Sequence, residues 1–126
     1  MRLIFSIFHL FTKCELVFLK KKFKNYGKNI KFGYLPTISN PKYISLMNNI
    51  IIGNNATLLA IDSDLITKRH PNLKIGNNIY IGHNVSIHSM NSVVLEDNVV
   101  LSDNIYISDV SHGIKLDLEH SIMKQQ

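Results

Sequence analysis

This sequence has almost no cysteine, no tryptophan and no apolar run long enough to cross a membrane. Cys14 is the single cysteine of 126 residues, so no disulfide can form within the chain and no thiolate metal cluster is possible. A lone cysteine is compatible with the reducing cytoplasm. The apolar run over residues 3–11 is far shorter than the roughly 20 residues that span a bilayer. With 45% hydrophobic and 18% charged residues, the chain is not disordered.

Acidic residues are also scarce, and the basic residues are unevenly distributed. The chain has 14 Lys and Arg against 9 Asp and Glu, a formal net charge of +5. Lysines crowd residues 20–31, which indicates either a solvated face or attraction to anionic phosphates or a membrane surface. Aromatic and basic residues do not alternate along the chain, so we expect no nucleic-acid partner.

Apolar residues recur every six residues through most of the chain. A helix repeats every 3.6 residues and a strand every two, so neither alone produces this step. A fixed step of six predicts short strands joined by regular corners, which is an all-β solenoid. The predicted core residues are Ile75, Ile79, Ile81, Val85, Ile87, Val93, Leu95, Val99, Leu101, Ile105 and Ile107. Upstream, the step runs through Phe32, Ile38, Ile44 and Ile50, with Leu46, Ile52 and Leu58 beside them.

The residues that follow the apolar positions are suited to corners. Gly and Asn adopt positive φ at low cost, and they recur in Gly53-Asn54-Asn55, Gly76-Asn77-Asn78 and Gly82-His83-Asn84. A β-sandwich with Asn-rich hairpins is the alternative, but its turns are spaced by roughly 8 to 12 residues. The corners therefore favour the solenoid.

The pattern divides the chain into three parts. Residues 1–26 are predicted to be an amphipathic helix followed by a basic linker, residues 27–110 the solenoid, and residues 111–126 a segment without the six-residue step. The helix, over residues 2–24, is predicted to cover the open first coil. Contact of this helix with the inner face of the membrane is the alternative.

The solenoid pattern has two interruptions. Residues 60–73 break the period and are predicted to form a loop or an irregular corner. Residues 89–91 are predicted to hold a two-residue bulge, because Ile87 and Leu95 are eight residues apart. Solenoids place insertions on one face, which is often a binding face.

Two motifs resemble those of hexapeptide-repeat acyltransferases. They are the repeated Ile-Gly-x-Asn units and the segment that ends Asp109-Val110-Ser111-His112-Gly113. The segment Asn40-Pro41-Lys42-Tyr43-Ile44 also resembles the start of the family's first coil. The resemblance covers about residues 26–126 and is closest to O-acetyltransferases of surface-polysaccharide synthesis.

The resemblance implies a left-handed parallel β-helix of triangular section with roughly 18 residues, or three hexapeptides, per coil. It also implies a homotrimer with active sites between neighbouring subunits. Each site would take acetyl-CoA as acyl donor and a sugar or glycan-lipid hydroxyl as acceptor, with no metal.

The resemblance also implies roles for individual residues. His112 aligns with the catalytic histidine that removes the proton of the acceptor hydroxyl. An imidazole suits this task because its ordinary pKa is about 6.5. Asp109 matches the acidic residue before it and would orient the loop. Asn84 lies where galactoside acetyltransferases place an acceptor-binding Asn. Val110 stands where the family often has a second histidine.

In the family, the chain loops out after the catalytic histidine and then adds coils that form much of the acetyl-CoA groove. Residues 114–126 resemble only the start of that excursion, so the chain is predicted to be truncated. We therefore expect an acetyltransferase-like protein with little or no acetyl transfer of its own. The alternative is a non-catalytic β-helix remnant.

His83 and His88 support a third interpretation. Residues 81–88 partly resemble the metal-binding step of γ-class carbonic anhydrases, which share the fold and hold a metal with three histidines from two subunits. His70 is the nearest third candidate, but it lies in the irregular loop. Two corner histidines without a metal are the expected arrangement.

Overall fold

The computed structural model describes residues 17–63 and 68–110, and their regular structure is almost entirely β-strand. The strands are β1 (Asn25–Tyr26), β2 (Ile30–Phe32), β3 (Thr37–Ser39), β4 (Ile44–Leu46), β5 (Ile50–Ile52), β6 (Thr57–Ala60), β7 (Asn72–Ile75), β8 (Ile79–Ile81), β9 (Ser86–Ser89), β10 (Ser92–Leu95), β11 (Val100–Leu101) and β12 (Tyr106–Ser108). A 3₁₀ turn, Pro41–Tyr43, precedes β4.

Successive strands join three different sheets in rotation. Sheet A has the order β1-β4-β7-β10, sheet B has β2-β5-β8-β11, and sheet C has β3-β6-β9-β12. All strand pairs in these sheets are parallel. The described residues therefore wind through four stacked coils of three strands each, which confirms the predicted all-β solenoid. We call the turns from sheet A to B, from B to C and from C to A the first, second and third corners.

Equivalent positions in successive coils are 20 residues apart, with one exception. Asn25 pairs with Ser45, and Asn72 pairs with Ser92. The step between coils 2 and 3 is 29 residues, because nine additional residues lie between β6 and β7. The resemblance implies a coil of roughly 18 residues, and this expectation is wrong. The coil has 20 residues because the third corner is longer than the other two.

The predicted bulge at residues 89–91 is this longer third corner, and the same corner follows β3. Ile38 shares an inward row with Leu58, whereas Ile44 shares a row with Leu73. The six-residue step from Ile38 to Ile44 therefore runs from an inward row of sheet C to an inward row of sheet A. The pattern still identified inward residues, because both rows point into the same interior.

The predicted core is confirmed. The predicted residues from Ile75 to Leu95 are buried, and those from Val99 to Ile107 are partly buried against the same cluster. The core is contributed by Phe23, Ile44, Leu46, Ile50, Ile52, Ala56, Leu58, Ala60, Leu73, Ile75, Ile79, Ile81, Val85, Ile87, Val93 and Leu95. Strand geometry explains the alternation, since Ile79 and Ile81 point inward while Tyr80 points outward.

Asparagines with positive φ shape the first and second corners. In every described coil but the last, each donates from its side-chain Nδ2 to the Oδ1 of the equivalent asparagine in the next coil, at 3.0 to 3.2 Å. The ladders consist of Asn29, Asn49, Asn78 and Asn98 at the first corner and of Asn55, Asn84 and Asn104 at the second. The prediction of positive φ at the corners is thus confirmed for asparagine, which turns the chain and joins the coils, but it is wrong for glycine, because no described glycine has positive φ.

Part of the predicted N-terminal helix lies within the described residues. Residues 17–20 are helical, whereas residues 21–24, which were also predicted to be helical, form a turn and a bend. Leu19 packs against the core, and Phe23 is buried in it. The backbone N–H of Lys24 donates to the carbonyl oxygens of Pro41 and Ile44, at 3.0 Å in each case. The rest of the predicted helix, residues 2–16, lies outside the described residues. No described helix is long and apolar enough to cross a membrane.

Candidate functional site

Asp109 holds the third corner between coils 3 and 4. Its carboxylate accepts hydrogen bonds from the backbone N–H groups of Met90 at 2.6 Å, Asn91 at 2.8 Å and Ser92 at 2.7 Å. These three residues form the turn from β9 into β10, whereas Asp109 follows β12 in the next coil. One carboxylate therefore ties the end of coil 4 to the turn below it.

The surroundings of Asp109 favour its ionised form. Burial alone would raise the pKa of its carboxyl group, but the backbone N–H donors at the turn outweigh this effect and lower the pKa below its ordinary value. The carboxylate is ionised at neutral pH and is a weak base. Asp109 is therefore suited to positioning the chain and not to accepting a proton.

His112 lies outside the described residues, so its predicted catalytic role stays a prediction. The chain is described as far as Val110, whose N–H donates to Oγ of Ser108 at 2.9 Å. Asp109 and this short bond define the path of the backbone at the third corner. His112 follows two residues later in the sequence.

His88 and Tyr106 lie on the outer face of sheet C, next to the Asp109 corner. The Tyr106 hydroxyl is 3.3 Å from Nδ1 of His88, and the rings meet edge to face with centroids 5.0 Å apart. Burial lowers the pKa of His88, so its imidazole is neutral at pH 7. The N–H of Asp109 approaches the carbonyl oxygen of His88 at 3.4 Å. His88 was predicted to be a corner histidine, either without a metal or as a metal ligand, but it lies within β9 and beside Asp109.

The insertion between β6 and β7 emerges at the same third corner. Ser63 and Lys68 form an antiparallel bridge, and the Arg69 N–H donates to the carbonyl oxygen of Asp62 at 2.6 Å. The Arg69 guanidinium donates from Nη1 to Oδ1 of Asn91 at 3.1 Å. Since the N–H of Asn91 donates to Asp109, the insertion and the corner form one connected group.

Asn84 is not brought together with Asp109. It lies at the second corner with φ of 56°, and both ends of its amide are used in the ladder: Oδ1 accepts from Asn55, and Nδ2 donates to Asn104. Five residues of mostly extended chain separate Asn84 from the third corner, roughly 16 Å at about 3.3 Å per residue. The structure places Asn84 in a ladder that joins the coils.

The three histidines of the metal hypothesis occupy three different places. Nδ1 of His83 accepts a hydrogen bond from the N–H of Asn54 at 2.8 Å. Its imidazole is therefore the acceptor for the preceding coil, as Asn54 and Asp103 are at the same position of the neighbouring coils. His70 lies edge-on to Tyr43, with ring centroids 6.4 Å apart. Within residues 17–63 and 68–110 no group of three or more His, Cys, Asp or Glu side chains could hold a metal ion.

One signal in the sequence could have indicated part of the Asp109 corner, the 20-residue coil. Residue 109 lies 20 after residue 89, and Asn40 lies 20 before Ala60 at the same corner, whereas Arg69 lies in the insertion between β6 and β7 and carries no such signal. Asn40 bonds from Nδ2 to the carbonyl oxygen of Ala60 and to Oδ1 of Asp62. A six-residue step hides this alignment, because it ignores the two additional residues of the third corner.

No protein family matches this chain, and it matches neither a curated protein nor a solved structure. The parallel solenoid and the geometry of the third corner are therefore the basis for a functional proposal.

Proposed function

We propose that this chain is an O-acetyltransferase-like protein of the hexapeptide-repeat type, a family whose enzymes transfer the acetyl group of acetyl-CoA to a sugar hydroxyl in surface-glycan synthesis. The observation that carries the proposal is the anchoring of Asp109 on three backbone N–H groups, three residues before His112. Asp109 and His112 are the residues on which the sequence resembles these enzymes. The three-sheet parallel solenoid also agrees with the architecture that the resemblance implies.

The chemistry requires a base, because a sugar hydroxyl is a poor nucleophile at neutral pH. The His112 imidazole accepts the hydroxyl proton while the oxygen attacks the thioester carbonyl carbon. A new C–O bond forms, the C–S bond breaks, and the proton passes to the leaving sulfur, which releases CoA as a thiol. Asp109 contributes by fixing the start of the segment that carries His112, since a base must lie within about 3 Å of the proton that it removes.

The proposal includes features that belong to the enzyme type. They are a left-handed winding of the coils, a homotrimer with sites between subunits, an acyl transfer that uses no metal, and a cytoplasmic location. Sheet B presents an exposed apolar row, Ile51, Tyr80 and Val100, which a second copy would cover. This row supports self-association.

A non-catalytic solenoid is the second candidate, and one observation favours it. The corner side chains that a binding site would use, Asn84 and His83 among them, are engaged in bonds between coils. These bonds account for the presence of such residues at the corners without a bound substrate. Acetyl-CoA therefore separates the two candidates, because only the acetyltransferase should bind and cleave it.

The test combines acetyl-CoA binding by calorimetry with detection of free thiol in the presence of a panel of sugar acceptors. We expect little or no thiol release from these 126 residues alone, and acceptor-dependent thiol release when they are joined to the later coils of the enzyme type. In that extended protein, His112→Ala should lower turnover by about 10²- to 10⁴-fold, the usual contribution of a general base. Asp109→Ala should also lower turnover, whereas Asp103→Asn, a carboxylate at the second corner, should not. Neither acetyl-CoA binding nor thiol release by the folded, extended protein would reject the acetyltransferase and leave the non-catalytic solenoid.

A further inference from the structure

Charge is segregated along the axis of the solenoid. Residues 17–43, which contain coil 1, have seven lysines and no Asp or Glu, whereas residues 92–110, which form coil 4, have four acidic residues and no Lys or Arg. Between them, residues 44–60 have no charged residue at all. The lysines are Lys20, Lys21, Lys22, Lys24, Lys28, Lys31 and Lys42, and the acids are Glu96, Asp97, Asp103 and Asp109.

The first corner shows how the stacking permits this segregation. Its acceptor position is Lys28 in coil 1, Asn48 in coil 2, Asn77 in coil 3 and Asp97 in coil 4. In each coil after the first, that side chain accepts the backbone N–H of the preceding coil, at 2.7 to 3.0 Å. Coil 1 has no preceding coil among the described residues, so position 28 needs no acceptor and can hold a lysine. The sequence thus places lysines at the end of the solenoid where the ladder needs no acceptor side chain.

The lysines surround the coil 1 end instead of lining a groove. Lys24 precedes sheet A, Lys28 lies at the first corner, Lys31 is on the outer face of sheet B, and Lys42 lies at the third corner; all four are exposed. The same end carries exposed apolar side chains, because Val17 is 64% and Phe18 75% accessible. Positive charge and apolar surface therefore occur together there.

We infer that the coil 1 end of the solenoid docks on an anionic lipid surface. A lysine close to such a surface strengthens binding by about fivefold, and apolar side chains that enter the headgroup region supply the second contribution that stable attachment needs. A nucleic-acid site is less well matched, because residues 17–43 contain no arginine for bidentate phosphate contacts. The inference does not depend on acetyl transfer.

Docking by this end fixes the orientation of the protein. Adjacent strands are about 4.8 Å apart, so coil 4 would stand roughly 15 Å farther from the lipid than coil 1. The acidic coil 4 would face away from the anionic surface, and repulsion would oppose the inverted orientation. The Asp109 corner would therefore stay open to the aqueous phase.

The test is co-sedimentation of the full chain with vesicles, either of phosphatidylcholine alone or with about 30% phosphatidylglycerol. The pair Lys24→Gln and Lys28→Gln is compared with the pair Lys68→Gln and Lys74→Gln, which removes the same charge from exposed sites away from coil 1. We expect binding only to the anionic vesicles, a loss of about tenfold or more for the first pair, and a much smaller loss for the second. Phe18→Ser should weaken binding further, and circular dichroism shows that each variant is folded.

Several results would overturn the inference. Equal loss in the two pairs would indicate a response to net charge alone, and equal binding to both vesicle types would remove the role of charge. Tighter lysine-dependent binding to a short duplex RNA than to anionic vesicles would identify a nucleic-acid surface instead. Salt-sensitive self-association that is lost in Asp97→Asn with Asp103→Asn would show that the basic end meets the acidic end of another copy.

Discussion

The first and second corners of this solenoid differ from the third in almost every respect. The first two are short and repeat an asparagine with positive φ from coil to coil, except that Leu35 has the positive φ at the second corner of coil 1. The side-chain amides of these asparagines are joined in ladders. The third corner is two residues longer, contains a 3₁₀ turn in one coil and a nine-residue insertion in the next, and is tied by Asp109 in the last. Repetition stabilises two edges of the solenoid and leaves the third free to vary.

This difference shows where new chemistry can be added to a repetitive fold. A change at the first or second corner must fit the coils on both sides, because the asparagine side chains there are bonded to the coils above and below. A change at the third corner affects a turn held by individual contacts, such as the bond from Arg69 to Asn91. The candidate site lies at the third corner for this reason.

The largest expected effect comes from the core that all three corners share. Ile81 is fully buried, and Ile81→Asp would place an unpaired carboxylate in that interior. We expect loss of the cooperative fold, a cost of more than about 4 kcal/mol, measured by circular dichroism and urea titration. Tyr80→Asp, on the outward neighbour, should cost less than about 1 kcal/mol. A normal melting transition for Ile81→Asp would contradict the stacked core.

The next effect tests the regular corners. A Cβ atom on Gly53 would lie 2.6 Å from the carbonyl oxygen of Gly82 and 2.9 Å from the N atom of His83, so the backbone of the next coil would have to move. We expect Gly53→Ala to cost about 2 to 3 kcal/mol in urea unfolding. Ser102 occupies the same column in coil 4, and Ser102→Ala should change stability by less than about 0.5 kcal/mol. Equal effects at the two positions would show that the coils are not packed this closely.

A smaller effect is expected at the third corner. Asp109→Ala removes one acceptor from three N–H groups that stay partly exposed, so we expect a loss of about 1 to 2 kcal/mol at pH 7. Because the folded state lowers the pKa of Asp109, its contribution is present above the ordinary aspartate value of about 3.9 and is lost as the pH falls through the folded pKa.

The measurement is urea unfolding of wild type and Asp109→Ala between pH 7 and pH 2.5. Their difference in free energy of unfolding should shrink toward the acid end. Glu96→Gln, an exposed acid in the same coil, provides the comparison and should show little change with pH. A constant difference at every pH would mean that the Asp109 carboxylate does not hold the turn.

The smallest effect concerns His88 on the outer face of sheet C. Burial lowers its pKa, so NMR titration should give a midpoint below the ordinary histidine value of about 6.5. Its contribution to stability is complete above that value and decreases as the pH falls through the folded pKa. Tyr106→Phe should cost only about 0.5 kcal/mol, because the bond from the hydroxyl is long and exposed. A midpoint at or above 6.5 would disagree with the burial of this ring.

Much of the fold could be predicted from the sequence, because the six-residue step and the Gly and Asn corners are local features. Ile79, Ile81 and Ile87 were identified as inward from spacing alone, and all are buried. The length of the coil could not be obtained in this way. Two additional residues at the third corner leave the local pattern intact on both sides, so only the pairing of strands shows the 20-residue period.

The candidate site was less predictable for the same reason. Asp109 was selected from a motif, but its partners Met90, Asn91 and Ser92 lie a coil earlier and carry no signal as side chains, because they donate from the backbone. Asn84 was selected from an alignment, and its place in a ladder became clear only once Asn55 and Asn104 were stacked on either side of it.

The sequence by itself determined that this chain is a β-solenoid, which residues fill its interior, and that a lysine-rich segment, residues 17–43, precedes an acidic segment, residues 92–110. These properties depend on period and composition, which are independent of how the coils stack. Only the tertiary structure decided which polar side chains meet, because residues 20 or 29 apart become neighbours through strand pairing. It also turned the order of charges along the chain into two oppositely charged ends, since successive coils stack in sequence order along one axis.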